Sequence, residues 1–119
     1  LYKLAAERGD VDAQNNLGEI NEMGRGVDRN LDEALRLYEL AADRGLGSAQ
    51  FNAGRLWAIG VSGKKDPAKA RAFLVQAEKN GVPQARLILE WLDRQNVPAT
   101  VESPVQAPAT KPGGASTKD

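Results

Sequence analysis

Cysteine and histidine are both missing from the 119 residues. Their absence removes disulfides, thiolate and imidazole metal sites, and Cys/His nucleophile chemistry together. Lack of cysteine is compatible with any compartment. No apolar run approaches the roughly 18 residues that would read as a membrane span. An excess of either charge is also missing: 16 Lys and Arg balance 16 Asp and Glu. A neutral chain offers no electrostatic reason to expect nucleic acid or an anionic membrane as partner. The length suits one domain. The chain opens on Leu1, with neither Met nor a signal-type basic region, and enters partway through a pattern. It reads as a fragment or mature segment.

That pattern is what the sequence does contain. Leu1-Tyr2-Lys3-Leu4-Ala5-Ala6-Glu7-Arg8-Gly9 returns as Leu37-Tyr38-Glu39-Leu40-Ala41-Ala42-Asp43-Arg44-Gly45, offset by 36 residues. The same offset carries Ala13 to Ala49, Gln14 to Gln50, Gly18 to Gly54, Gly24 to Gly60 and Ala34 to Ala70. Gly45 goes on to Gly81, and Ala49 to Ala85, with no gap between residues 1 and 95. A fixed period of this size is the signature of stacked helical or mixed repeats.

Apolar spacing assigns the elements. Residues 1–8 read as the end of a helix closed by Gly9. Ala13, Leu17, Ile20 and Gly24 form a helical stripe over 11–24. After the Gly24–Val27 loop, Asn30 is the expected N-cap of a helix over 31–44, with Glu33 placed as in a capping box. Leu31, Ala34, Leu37, Tyr38 and Ala41 are its apolar face. Ser48 is the expected cap of a helix over about 48–59, whose apolar residues are Ala49, Ala53, Leu56 and Trp57. Asp66-Pro67 supplies an N-cap and a first-turn proline. Ala70, Phe73, Leu74 and Ala77 follow, and Gly81 stops that helix. A last helix over about 82–95 holds Ala85, Ile88, Leu89 and Leu92. From Asn96 to Asp119 come four of the six prolines and no aromatic residue. That composition reads as a disordered tail or linker.

Two antiparallel helices per unit cannot cover their own apolar faces; stacked neighbours can. The expected fold is therefore all-α, an α-solenoid over residues 1–95 holding about two and a half repeats. Its divisions are 1–9 (the end of a preceding repeat), 10–45, 46–81 and a partial unit at 82–95. Mid-helix glycine costs about 1 kcal/mol relative to alanine. The recurrence of Gly18 as Gly54 thus predicts close helix approach, assisted by Ala34/Ala70 and Ala41/Ala77.

The string Ala13-x3-Leu17-Gly18-x5-Gly24-x-Gly26-Val27-x2-Asn30-x2-Glu33-Ala34-x2-Leu37-Tyr38-x2-Ala41-Ala42-x2-Gly45 resembles a Sel1-like repeat, a relative of the tetratricopeptide repeat with a longer loop. Asn21 and Asp93 depart from the family's usual Tyr, which Trp57 replaces with another aromatic, and Ser62-Gly63 stands for Gly26-Val27. Pro83, Glu90 and Asp93 make the last unit degenerate, as in a terminal cap.

Enzymatic sites find little support. Adjacent acids on a helix, Asp10/Asp12 and Asp32/Glu33, point apart and complement the helix N-terminus. Gly60-x2-Gly63-Lys64-Lys65 lacks phosphate-loop spacing. Lys64, Lys65, Lys69 and Arg71 are too small a patch for nucleic acid. No catalytic, metal or cofactor residue is assigned, and no cofactor is expected.

The resemblance implies a protein or peptide partner bound in a concave groove lined by each repeat's first helix. The stripe opposite the apolar one comprises Asn15, Glu19 and Glu22, then Phe51, Arg55 and Ala58, then Leu87, Trp91 and Arg94. Phe51 and Trp91 beside arginines could be binding hot spots or could pack on a neighbouring unit or a returning tail. Charge is uneven: residues 1–45 hold 6 basic and 10 acidic residues, residues 46–95 hold 8 and 4. Ends of opposite sign would allow end-to-end self-association, or the difference is scatter among solvated faces.

The expected function is a protein-binding adaptor or scaffold. By resemblance it would sit in a bacterial envelope or secretion context. A structural spacer in a larger envelope protein is the alternative. A third reading is a β-lactam-binding or hydrolysing enzyme, by analogy with cysteine-rich members of the family. Absent cysteine and an absent Ser-x-x-Lys motif both weigh against it.

Overall fold

Recurrent glycines in the left-handed region set the short turns. Gly9, Gly45 and Gly81 have φ of +89°, +94° and +93°, a conformation costly for residues with a Cβ. The residue after each glycine returns its N–H to a helix carbonyl five residues back. Asp10 donates to Ala5 at 3.0 Å, Leu46 to Ala41 at 3.3 Å and Val82 to Ala77 at 3.0 Å. This helix-closing motif turns the chain in two residues and repeats every 36.

The computed structural model describes residues 2–26 and 28–95. The expected tail at 96–119 lies outside them. In order the helices are α1 (Tyr2–Glu7), α2 (Val11–Met23), α3 (Leu31–Asp43), α4 (Gly47–Ile59), α5 (Pro67–Lys79) and α6 (Ala85–Gln95). The first helix of each pair is α2, α4 or α6; α1, α3 and α5 are second helices. All six elements are helical, and the sole strand-type pairing among the described residues is an isolated bridge between Val61 and Lys64.

Small residues dominate the interior. One cluster joins Ala34 and Tyr38 of α3 to Ala53 and Leu56 of α4 and to loop residue Val61. Another joins Ala41 and Ala42 to Ala49. The third joins Ala58, Ala70, Leu74, Ala77, Ala85, Leu89 and Leu92 from α4, α5 and α6. Phe73 packs against both of the first two, tying α5 back to the preceding repeat. Each pair thus completes its neighbour's interior, the expected solenoid arrangement.

Local capping holds in part. Asn30 Oδ1 accepts from the Glu33 N–H at 3.0 Å, and Asp66 Oδ1 accepts from the Lys69 N–H at 3.0 Å. The reciprocal half of the capping box is missing. The Glu33 carboxylate takes Arg36, at 2.9 and 2.6 Å, while the Asn30 N–H donates to the Asn21 carbonyl. Ser48 is not an N-cap. Leu46 holds that position without a side-chain cap bond, because the Gly45 turn delivers the chain into helix two residues sooner. The last helix begins at Ala85 rather than near 82. Pro83 disfavours helical geometry at Val82. Tight three-residue bonds (Ala85 to Val82, Arg86 to Pro83, Leu87 to Gln84) bridge the delay.

Candidate interaction surface on the first helices

Side chains one period apart lie across the joint between successive first helices. Asn15 on α2 donates through Nδ2 to the Ser48 hydroxyl at 3.3 Å and accepts from Asn52 Nδ2 at 3.1 Å, both on α4. Glu22 accepts two bonds from Arg55, at 2.7 and 2.8 Å, and one from the Tyr38 hydroxyl at 2.7 Å. Arg55 also donates to Asn52 Oδ1 at 3.3 Å. A continuous polar chain therefore runs Ser48–Asn15–Asn52–Arg55–Glu22–Tyr38 and fastens repeat to repeat.

The environment tunes its charges. Arg55's hydrogen bonds hold the Glu22 carboxyl below its ordinary range; burial opposes this, and the Tyr38 bond assists. Burial, then the bond to Glu22, pushes the Tyr38 hydroxyl upward. Glu22 in turn raises Arg55. Forked, charge-assisted geometry of this kind is among the stronger side-chain pairings.

The second joint uses other chemistry in the same register. The Glu22/Arg55 relation becomes Ala58/Trp91, and the Asn15/Asn52 relation becomes Phe51/Ile88. Ala58 is fully buried in the third core cluster, and Phe51, Ile88 and Trp91 pack against that cluster. Polar groups hold the first joint and apolar groups the second.

Among the expected groove residues, then, Asn15, Glu22 and Arg55 converge in the joint. Asn15 is buried, and Glu22 and Arg55 are already saturated by one another. Ala58 is not a surface residue: its small side chain lies beneath the third repeat. Phe51 and Trp91 are half-buried against the neighbouring unit, while Glu19 and Arg94 are exposed. Leu87 is 68% exposed.

Sequence reasoning missed the roles of Tyr38, Ser48 and Asn52 in this chain of bonds. It also missed Met23 and Ile59, which stand 36 residues apart at the ends of α2 and α4 and are 64% and 62% exposed. Their common offset was the available signal. Trp57 is likewise more than a core residue. Its indole N–H donates to Glu39, and Lys69 lies over its ring at 4.6 Å, a cation–π placement.

A cleft of about 400 Å³ opens between the ends of α3 and α5, lined by Ala42, Asp43, Gly45, Gln50, Gln76, Lys79 and Asn80. Gln50 spans it, donating to the Ala42 carbonyl at 3.3 Å and accepting from Asn80 Nδ2 at 2.9 Å. Among the described residues no acidic group is arranged to hold a metal ion, and no helix is long and apolar enough to cross a membrane.

Helix pairs of one period, stacked through shared cores and fastened by side chains one repeat apart, define an α-solenoid repeat protein. The Sel1 repeat family model matches residues 1–10, 11–46 and 47–82, and the chain belongs to that family. No curated protein matches it by sequence. Solved structures share the fold, two of them as follows. One is a protective antigen present in uropathogenic Escherichia coli strains and displaying an SLR fold, 26% identical, with a TM-score of 0.76 over 81% of this chain. The other is a Sel1 repeat protein from Oxalobacter formigenes, 32% identical, with a TM-score of 0.73 over 80%. The alignments span 21% and 40% of those longer chains.

Proposed function

We propose that this chain is a protein-interaction module whose partner lies along the face formed by α2, α4 and α6. The observation that carries the reading is the pairing of Met23 with Ile59. Single exposed apolar side chains are ordinary, but two in register on adjacent helices, both about two-thirds exposed, make the beginning of an apolar row. Glu19 and Arg94 lie on the same helices and supply polar orientation, with Phe51 and Trp91 as partly covered aromatic anchors. Asn15, Glu22 and Arg55 act indirectly, fixing the spacing of the helices that present these groups. Protein-interaction scaffolding is common in Sel1 repeat solenoids, which agrees with this assignment.

A photo-crosslinking amino acid at Ile59, compared with one at the exposed Ala72 of α5, tests the proposal in extract from the source cell. A discrete crosslinked protein from position 59 that is lost on Met23→Ser is the expected result. Equal yields from both positions would remove the reading. Spacer duty within a longer protein is the second possibility. It draws support from the small share of the two solved chains that this one spans.

A further inference from the structure

We propose that the cleft between the ends of α3 and α5 binds a short peptide with unblocked termini, its ammonium against Asp43 and its carboxylate against Lys79. The site is separate from the Met23–Ile59 row, because Gln50 lies at the opposite end of α4 from Ile59.

The cleft has a fixed floor and a charged rim. Gln50 and Ala42 form the floor and are buried, at 3% and 2% exposure. Both polar atoms of the Gln50 side chain are held, Nε2 by the Ala42 carbonyl and Oε1 by Asn80 Nδ2. Asp43, Gln76, Lys79 and Asn80 stand exposed around it. The volume of about 400 Å³ falls within the range of ligand sites, roughly 300–1,000 Å³.

The charges on the rim indicate the ligand. Asp43 and Lys79 are one period apart, the last residues of α3 and α5. Neither makes an ion pair with the described residues. Asp43 adds negative charge to a helix end that is already negative, and the last turn of α3 holds no base to offset it. That wall therefore attracts a cation. Lys79 gives the other wall the opposite sign. A ligand that satisfies both is a zwitterion.

The floor sets its length and its middle. From the Ala42 wall to Asn80 the Gln50 amide carries two successive hydrogen bonds, of 3.3 and 2.9 Å. The two charges of a single amino acid stand too close together to follow that span. Two or three extended residues cover it at about 3.3–3.6 Å each. Peptide groups between the charges match the amides of Gln76 and Asn80, each of which offers donors and an acceptor.

Repeat register assigns the site to this joint. Between α1 and α3 the positions of Asp43, Gln76, Lys79 and Asn80 are taken by Glu7, Leu40, Asp43 and Arg44. Acids hold both charge positions there, and an aliphatic side chain replaces the Gln76 amide. Arg44 also lies over the turn, its Nη1 4.0 Å from where a Cβ on Gly9 would stand.

The test is a titration of the full chain, labelled with nitrogen-15, by trialanine, its N-acetylated form and its C-amidated form. Trialanine should shift the side-chain amide signals of Gln50, Gln76 and Asn80 saturably, and each blocked peptide should bind roughly tenfold more weakly. In Asp43→Asn the acetylated and unblocked peptides should bind alike, while the amidated one stays weaker. Lys79→Gln should show the converse. Gln76→Leu, which copies the earlier repeat, should weaken all three, with no fall in melting temperature in any variant. No saturable shift at about 10 mM trialanine overturns the proposal. So do blocked peptides that bind as well as trialanine, and discrimination that survives both charge variants. Free alanine binding as tightly as trialanine would assign the cleft to a single amino acid and overturn it too. Crosslinking from Ile59 is independent of each of these outcomes.

Discussion

The ring of Tyr38 occupies the space that a side chain at Gly18 would need: a Cβ there would lie 2.6 Å from Tyr38 Cε1. One period on, a Cβ at Gly54 would lie 2.7 Å from Leu74 Cγ. Each glycine also faces a backbone carbonyl, of Ala34 and Ala70 respectively. The approach that the recurring glycines predicted is therefore real, and it is closed by a ring in one repeat and a leucine in the next. Gly18→Leu should cost roughly 1–3 kcal/mol through overpacking. Thermal denaturation would show it as a clear fall in melting temperature, about 4–8 °C per kcal/mol for a domain of this size. An unchanged melting temperature would mean that the helices can separate freely.

Acid should loosen the first joint. Glu22 has a lowered pKa in the fold, chiefly through Arg55. The stability it contributes is thus fully present above its ordinary value of 4.5 and is lost as pH falls through the depressed value. Glu22→Gln should destabilise the chain by roughly 2 kcal/mol at neutral pH, by removing a charge-assisted pair from a largely covered site. Wild type and variant should converge under strongly acidic conditions. Tyr38 gives the opposite sign. Its raised pKa contributes stability below 10.0 that declines as pH rises beyond it, so Tyr38→Phe should flatten the alkaline limb of a stability–pH profile. Parallel profiles for wild type and both variants would refute the assignment.

Arg44→Asn should stabilise the protein. Gln14 and Gln50 are equivalent, and each donates through Nε2 to a carbonyl of the preceding helix, Ala6 or Ala42. Asn80 satisfies Gln50 Oε1 at 2.9 Å, but Gln14 Oε1 is buried with no partner among the described residues. The residue at Asn80's register in the earlier repeat is Arg44. An asparagine there supplies the missing donor, worth about 1 kcal/mol after the loss of a favourable cation at a helix C-terminus. Urea denaturation is the measurement; a loss of stability would show that the arginine serves Gln14 better than an amide would.

Helix caps should separate into strong and weak members. Asn30→Ala and Asp66→Ala each remove a bond to an otherwise unpaired helix N–H and should cost about 1 kcal/mol. Glu33→Ala should cost only a few tenths, because its exposed carboxylate serves Arg36 on the surface instead of closing the capping box. Equal losses at positions 30 and 33, measured by the same denaturation, would restore the reciprocal box.

Much of the architecture was legible from the 36-residue offset alone: helix pairs, the glycine-closed turns, the close approach at Gly18 and Gly54, and the caps at Asn30 and Asp66. These features depend on local conformation or on spacing that recurs, and both are written along the chain. Asn15, Glu22 and Arg55 fell on an apparently exposed stripe because a helical wheel knows only its own helix. Their burial and pairing arise from a helix one period away, as does the covering of Ala58 by the third repeat.

By itself, then, the order of residues determined that paired helices recur and where they turn, since backbone sterics and the apolar period act within a few residues. Only the stacked structure decided which polar side chains are spent on one another and which, such as Met23, Ile59, Leu87 and Arg94, are left facing outward. That division depends on distances between repeats, and an unpartnered side chain is defined by what fails to come near it.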